Sequence, residues 1–387
     1  MGDLRSLRLL AALVLLVPAA CRTDDERPRV EQRVDDPSAT VPSTPGPAFE
    51  RYVLWAPAGL PARSERILDD EPGVRRVTTV VAGLHWADRF EAGGESTGPG
   101  DGGAVPVEVA YVDPLELRHF VDPNNTTDYV HRRPAGPLGV PARTFARMHG
   151  AGDDYMKMQL TDITRTFNLS RAVPDAVTLG FEVLLEAPAP RGWGQRFVLV
   201  ESRDRRALRR AATRLMEGEP LRIKSSQETP FLRYADAVTP QMYFKEHFGE
   251  FSARPQPNGS LIIDPEWVRQ NIVTASVPLL GEVTCHRRFI TRLRNTLGRV
   301  KEQGLAQTVD PGDFGGCYSP RFIGRDPEGR LSSHAWGAAI DINAAANPFG
   351  SRPTMSLKLV EVMTDHGLNW GGDWLNPDGM HFEWRRD

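Results

Sequence analysis

Two stretches of the sequence read as strand, helix, strand, and they set most of what the chain can fold into. In the first, Tyr52-Val53-Leu54-Trp55-Ala56 has strand character. Ala62 to Asp70 is helical in pattern, with Ile67 and Leu68 inward. Gly73 ends it, and Val74 to Val81 reads as the second strand. The second stretch runs from a strand at Phe197 to Val200, through a basic helix at Arg203 to Met216, to a strand at Leu221 to Lys224. The two are too dissimilar to be a repeat. Val107 to Val112 and Phe181 to Leu185 add strand-like segments between Gly/Pro-rich loops. An α+β sandwich is expected over 49–263, with a ferredoxin-like arrangement as its form. This region carries no chemical motif. His85, His119, His131, His149 and His247 are scattered without ligand spacing, and each reads as an ordinary surface or core histidine. Arg203 to Arg214 reads as a solvated helix face, with contact to anionic wall polymer or lipid headgroups as the minor alternative.

The first 48 residues stand outside that fold. Arg5 and Arg8 precede an unbroken apolar run, Leu9 to Val17, followed by Pro18-Ala19-Ala20 and Cys21. The run is shorter than the ~20 residues that a membrane-spanning helix needs, so it reads as a secretory signal. Ala19-Ala20-Cys21 resembles a bacterial lipobox, in which the cysteine becomes the lipidated first residue. Pro18 stands where a leucine is usual, and plain cleavage at a small-residue site is the alternative. Either way an exported protein is expected. As a lipoprotein it would sit at the outer face of the cytoplasmic membrane or in the wall; otherwise it is secreted. Residues 22–48 are rich in Asp, Arg, Pro, Ser and Thr and read as a flexible tether, because such a segment cannot bury enough apolar surface to offset its ordering entropy. Lys and Arg total 47 against 50 Asp and Glu, a net charge of −3 that argues against a broad footprint for nucleic acid.

A second domain is expected over 264–387, opening at Asp264-Pro265. His286 to Gln303 is amphipathic, with Phe289, Leu293, Leu297 and Val300 at helical spacing and Gly304 just past the end. The chemically specific residues follow it. His334, Asp341 and His381 would supply the three nitrogen and oxygen ligands of a catalytic zinc site, which keeps a further position open. Ala338 to Asn343 alternates like a strand, placing Ala339, Asp341 and Asn343 on one face. His381 and Glu383 share a face opposite Phe382. Small residues at Gly337 and Ala339 would leave room for metal and substrate. Asp378, three residues before His381, could take the proton of an attacking water.

The pattern Ser332-x-His334-x2-Gly337-x-Ala339-x-Asp341, followed by Asp378-x2-His381, resembles the zinc peptidases of family M15. These are the D-alanyl-D-alanine carboxypeptidases and L-alanyl-D-glutamate endolysins. Gly371-Gly372-Asp373-Trp374 and Met380-His381-Phe382-Glu383 are similar to one branch of that family, as is Gly316-Cys317-Tyr318-Ser319-Pro320-Arg321 upstream. The resemblance covers 265–387 only. It implies zinc (Zn2+) held by His334, Asp341 and His381, Asp378 as acid/base, Arg321 orienting substrate or stabilising the transition state, and Ser332 bonding locally to hold His334. One branch of the family carries Glu at the Asp378 position; the endolysin branch resembles this sequence. Glu383 is the rival base, with support of a ligand as its other role. Cys285 and Cys317 form an even pair in an oxidising compartment, so a disulfide is expected, with a cysteine ligand to zinc as the alternative.

The resulting expectation is an exported zinc metallopeptidase acting on peptidoglycan stem peptides, as a carboxypeptidase or an endopeptidase, and held at the membrane through a lipid on Cys21. Pocket shape, set partly by 344–351, would choose the bond. The alternative is a non-catalytic zinc- or wall-binding lipoprotein whose N-terminal domain binds a partner or senses.

Overall fold

The computed structural model describes residues 48–92, 95–97, 103–121, 178–185, 187–236 and 239–385, with short strand segments at 140–141, 156–160, 163–169 and 172–173. The export signal, Cys21, the tether up to residue 47, His131 and His149 lie outside the described residues. No helix among the described residues is long and apolar enough to cross a membrane. The chain is mixed α+β, and Pro47–Asp387 forms one compact unit.

In the N-terminal half, β1 (Glu50–Trp55), α1 (Ser64–Asp69), β2 (Val74–Ala92), β3 (Val105–Tyr111), β4 (Val183–Leu185), β5 (Gln195–Ser202), α2 (Arg205–Leu215) and β6 (Arg222–Ser225) follow in chain order. The sheet runs β6-β1-β5-β2-β3-β4. The four strands of the run β6-β1-β5-β2 are each antiparallel to their neighbours. With α1 and α2 they make a βαββαβ unit in the order 4-1-3-2, the ferredoxin-like form. Strand alternation feeds both faces. Tyr52 and Leu54 pack with Leu68, Leu208, Ala211 and Ala212 under the helices. Val53 and Trp55 pack on the other face with Phe181, Phe197 and Tyr234. Asp204 caps α2, its carboxylate accepting the Arg206 and Ala207 N–H groups at 2.9 Å. The strand expected to end at Val81 continues to Ala92, because past the βαββαβ unit it pairs antiparallel with β3 up to Ala87 and then with Met156–Leu160 and Glu95–Thr97.

After β6 come α3 (Gln241–Phe248), α4 (Pro265–Asn271, capped by Asp264), the hairpin β7 (Ile272–Val277) and β8 (Gly281–His286), and α5 (Arg287–Glu302). A small antiparallel sheet follows, from β9 (Phe314–Gly316), β10 (Ala339–Ile342), β11 (Leu368–Trp370) and β12 (His381–Trp384), in the order β9-β10-β12-β11, with α6 (Leu357–Asp365) before β11. α5 buries Phe289, Ile290, Leu293, Leu297 and Val300. Each such side chain contributes roughly 1.5–3 kcal/mol by leaving water. α3 packs Phe244 and Phe248 against Trp384, with ring centroids 5.5 and 5.2 Å apart, and Phe244 against Trp336 at 5.6 Å. The core of the C-terminal half therefore takes in α3 together with Leu84 and Trp86 of β2. Two buried ion pairs tie α3 and its approach to the large sheet: Arg233–Glu108 at 2.7 Å and Lys245–Glu182 at 2.8 Å.

Cys285 and Cys317 are joined by a disulfide across 32 residues. It links the end of β8 to the segment leading into Arg321. The neighbouring His286 is buried and held neutral. Its Nε2–H donates to the Phe248 carbonyl at 3.0 Å, while Nδ1 accepts the Arg288 N–H at 3.1 Å and so caps α5. Burial pushes its pKa down from 6.5 to about 4. Because the unfolded chain takes up a proton here before the folded one does, stability falls as pH drops from about 6.5 to about 4 and levels off below that, a loss of about 3 kcal/mol. Urea denaturation at pH 7 and pH 4 checks this against His286→Asn, which keeps a capping acceptor without titrating. Equal losses in both proteins would refute it.

Candidate metal centre

The site is built where β10 and β12 pair. Asp341 lies directly opposite His381 in the register, and Ile340 opposite Phe382. Residues facing each other across an antiparallel pair have Cβ atoms about 4.5–5.5 Å apart, which brings the two side chains together on one face. Ile340 and Phe382 alternate to the other face and are fully buried. The third residue comes from a single 3-10 turn, Ser333–Trp336. Ser332 caps this turn, its hydroxyl accepting the His334 N–H at 3.3 Å. Gly337 ends the turn in the left-handed region, φ 63°. A Cβ there would meet the His286 nitrogen at 2.7 Å, so this glycine serves the turn and the close approach of β8 rather than leaving room for metal or substrate.

Three atoms converge. His334 Nε2 lies 3.2 Å from Asp341 Oδ1 and 3.2 Å from His381 Nδ1, and His381 Nδ1 lies 3.1 Å from Asp341 Oδ1. A tetrahedral ion with nitrogen and oxygen ligands at 2.0–2.1 Å requires ligand atoms roughly 3.3 Å apart, so the triangle has the right edge. The far side of each ring fixes its tautomer. His334 Nδ1 is 2.7 Å from the Cys317 carbonyl, which can only accept, so Nδ1 carries the hydrogen and Nε2 a lone pair. His381 Nε2 faces Glu383 Oε2 at 3.4 Å; a hydrogen held there by the carboxylate would leave Nδ1 as the lone-pair nitrogen for a cation. With both imidazoles neutral, the triad would aim three lone pairs at one point, an arrangement suited to a cation.

The electrostatics agree. Burial lowers the pKa of His334. Burial would also lower His381, but Asp341 and Glu383 outweigh it and push that imidazole up to about 10. Without a cation, a proton takes the place between the ligands, and metal uptake must release it. Burial would raise Asp341, yet His334 and His381 hold it well below the usual carboxylate range.

Around the triad the remaining sequence-predicted residues gather. Arg321 Nη2 is 3.9 Å from Asp341 Oδ2, and its Nη1 donates to the Ser319 carbonyl at 3.2 Å. Asp378 sits on the loop between β11 and β12. Burial raises its pKa, and its carboxyl feels the charges of His381, Asp341, His334 and Arg321. Its Oδ1 is buried with no hydrogen-bond partner. Glu383 lies behind His381, on the nitrogen turned away from the triad; its second oxygen is likewise unpartnered. Gly371 lets the Asp378 loop close. A Cβ there would meet the Asp378 carbonyl at 2.7 Å and the His381 Cβ at 3.3 Å. The Cys317 carbonyl on His334 was not legible as a site group, since any residue offers a carbonyl. Trp374 sets its ring 5.2 Å from that of His381, a contact that its place in the Gly371-Gly372-Asp373-Trp374 motif does not reveal.

Residues 325–384 match the peptidase family described as D-alanyl-D-alanine carboxypeptidase. The matched span holds His334, Asp341, Asp378, His381 and Glu383, in the C-terminal part that carries the resemblance to family M15. It stops short of Arg321 and both cysteines. No curated protein matches the chain. Among solved structures, the periplasmic region of MacB from Actinobacillus actinomycetemcomitans is similar at a TM-score of 0.31 and 11% identity, over 47% of this chain and 91% of that one. A likeness that slight carries no argument.

Proposed function

We propose that the chain is a zinc metallopeptidase that hydrolyses peptide bonds in peptidoglycan stem peptides, as a D-alanyl-D-alanine carboxypeptidase or an L-alanyl-D-glutamate endopeptidase. The observation that carries this is the triangle of His334 Nε2, Asp341 Oδ1 and His381 Nδ1, all within 3.2 Å, inside the span that matches the peptidase family. Held by these three, zinc would supply Lewis-acid polarisation of the scissile carbonyl and of the attacking water.

The chain's own residues do the rest. Asp378 Oδ1, buried and unpartnered, accepts the water's proton and passes it to the leaving amine. The raised pKa of that carboxyl makes it a stronger proton acceptor than an exposed aspartate. Arg321 places its positive charge beside the centre, where it can hold a substrate carboxylate or the developing oxyanion. Glu383 fixes the ring of His381 through Nε2–H, and the Cys317 carbonyl fixes that of His334 through Nδ1–H.

The test is digestion of defined wall peptides by protein with its metal content measured, read by mass spectrometry. Loss of a terminal D-alanine identifies the carboxypeptidase, and a break between L-Ala and D-Glu the endopeptidase. Bound zinc with no product from any peptide sinks the enzyme reading; wall binding without cleavage favours the non-catalytic alternative. The same proposal places the protein outside the cytoplasm, anchored by a lipid on Cys21, since an acyl chain adds about 0.8 kcal/mol per buried methylene. Cys21→Ser is expected to move it from the membrane fraction to the soluble exported fraction. Wild type found wholly soluble would leave simple secretion.

A further inference from the structure

The loop that carries Asp378 is held from outside the peptidase half. Asp236, buried on the segment after β6, accepts the Leu375 N–H. Arg222, on β6, donates through Nη2 to the Asp373 carbonyl at 2.9 Å and through Nε to Asp236 Oδ1 at 3.1 Å. Lys224 Nζ lies 3.3 Å from the same oxygen, so the Asp236 carboxylate is pinned by two cations before it reaches the loop. Leu375 packs against the apolar cluster of Val53, Phe181, Phe197 and Tyr234, the core of the ferredoxin-like sheet. The opposite flank is tied within the peptidase half. Gly350 N–H donates to the Pro377 carbonyl at 2.7 Å, and Trp370 Nε1–H to the Gly379 carbonyl at 2.9 Å. The loop between β11 and β12 has only the 3-10 turn Gly371–Asp373 as regular structure of its own. Within the loop, the Asp378 and Trp374 N–H groups donate to the Gly371 carbonyl at 2.9 and 3.1 Å, so its path is set by these bonds together with the flanking ones.

We propose that Asp236 and Arg222 are positioning residues: this clasp from the α+β half sets the backbone of 373–375 and so aims the Asp378 carboxylate at the metal triad. This rests on the reading of Asp378 as the base. It gives the N-terminal half a share in catalysis without placing any of its side chains on substrate. A hydrogen bond to a buried carboxylate is charge-assisted and strong, and Leu375 is three residues from Asp378. Displacing a catalytic group by about 1 Å from afar costs up to ~10²-fold in rate.

The experiment compares Asp236→Ala and Asp236→Asn with wild type for kcat, KM, zinc content and hydrogen exchange at the Leu375 amide. Asp236→Ala is expected to lower kcat about ten- to a hundredfold, with KM and zinc unchanged and Leu375 exchanging faster. Asp236→Asn, whose amide oxygen still accepts the N–H but drops the ion pairs, is expected to fall between the two. If Asp236→Ala does not fold, Arg222→Ala, which removes the Asp373 arm of the clasp and one of the two cations on Asp236 but leaves the Asp236–Leu375 bond its acceptor, is expected to show the same kcat loss at smaller size. Faster exchange with wild-type kcat would overturn the proposal, as would a loss that appears in KM or zinc content instead. Wild type that binds zinc and cleaves no wall peptide would sink the peptidase reading itself, and the clasp's catalytic role with it.

Discussion

Single replacement of His334, Asp341 or His381 is expected to remove stoichiometric zinc and to lower hydrolysis by ~10³-fold or more, about 4 kcal/mol of transition-state stabilisation. The reason is geometric. Three ligand atoms form a closed triangle with edges of 3.1–3.2 Å, so removing one leaves two, too few for an ion that must also keep an open position. Asp341→Asn is the most informative of the set, because it preserves shape and removes only the charge. The triad is buried, so folding must be read separately. A stable variant with no zinc and no activity supports the assignment. Variants that retain full zinc and full activity would sink it. Zinc uptake by wild type should also release a proton, since the imidazole of His381 is otherwise held protonated to about pH 10.

The parts of this site that share a strand were legible in the sequence, and the reason is alternation. Asp341 and His381 could be placed on a common type of face from Ile340, Ile342 and Phe382 alone, and Glu383, two residues past His381, had to share its face. The helices α2 and α5 were readable from their apolar period, and β1 and β5 from unbroken apolar runs whose two faces are both buried. The length of β2 was not readable, because its second half is a strand by pairing with distant segments, Val105–Tyr111 and then Met156–Leu160. Nor was the clasp. Arg222 and Asp236 meet the backbone of Asp373 and Leu375 across 151 and 139 residues, through peptide groups that any residue would offer. Contacts of that kind depend on the tertiary path and leave no pattern in composition or spacing.

Asp378→Asn is expected to keep zinc and lose ~10²–10⁴-fold in kcat, the usual contribution of a positioned base. Two carboxylates compete for the role, and they differ in where their free oxygens lie. Both Asp378 and Glu383 have one buried oxygen without a partner. Glu383 spends its other oxygen on His381 Nε2, the nitrogen that points away from the triad, so it sits behind a ligand. Asp378 instead arrives on the loop that Gly371 draws against His381, and burial raises its pKa as a proton acceptor requires. Glu383→Gln should therefore behave as the loss of a ligand's support: zinc affinity weaker by about ten- to a hundredfold, with turnover per bound zinc largely kept. Measuring kcat at saturating zinc separates the two. If Glu383→Gln is the inactive, metal-loaded protein and Asp378→Asn turns over normally, the base and the support are reversed.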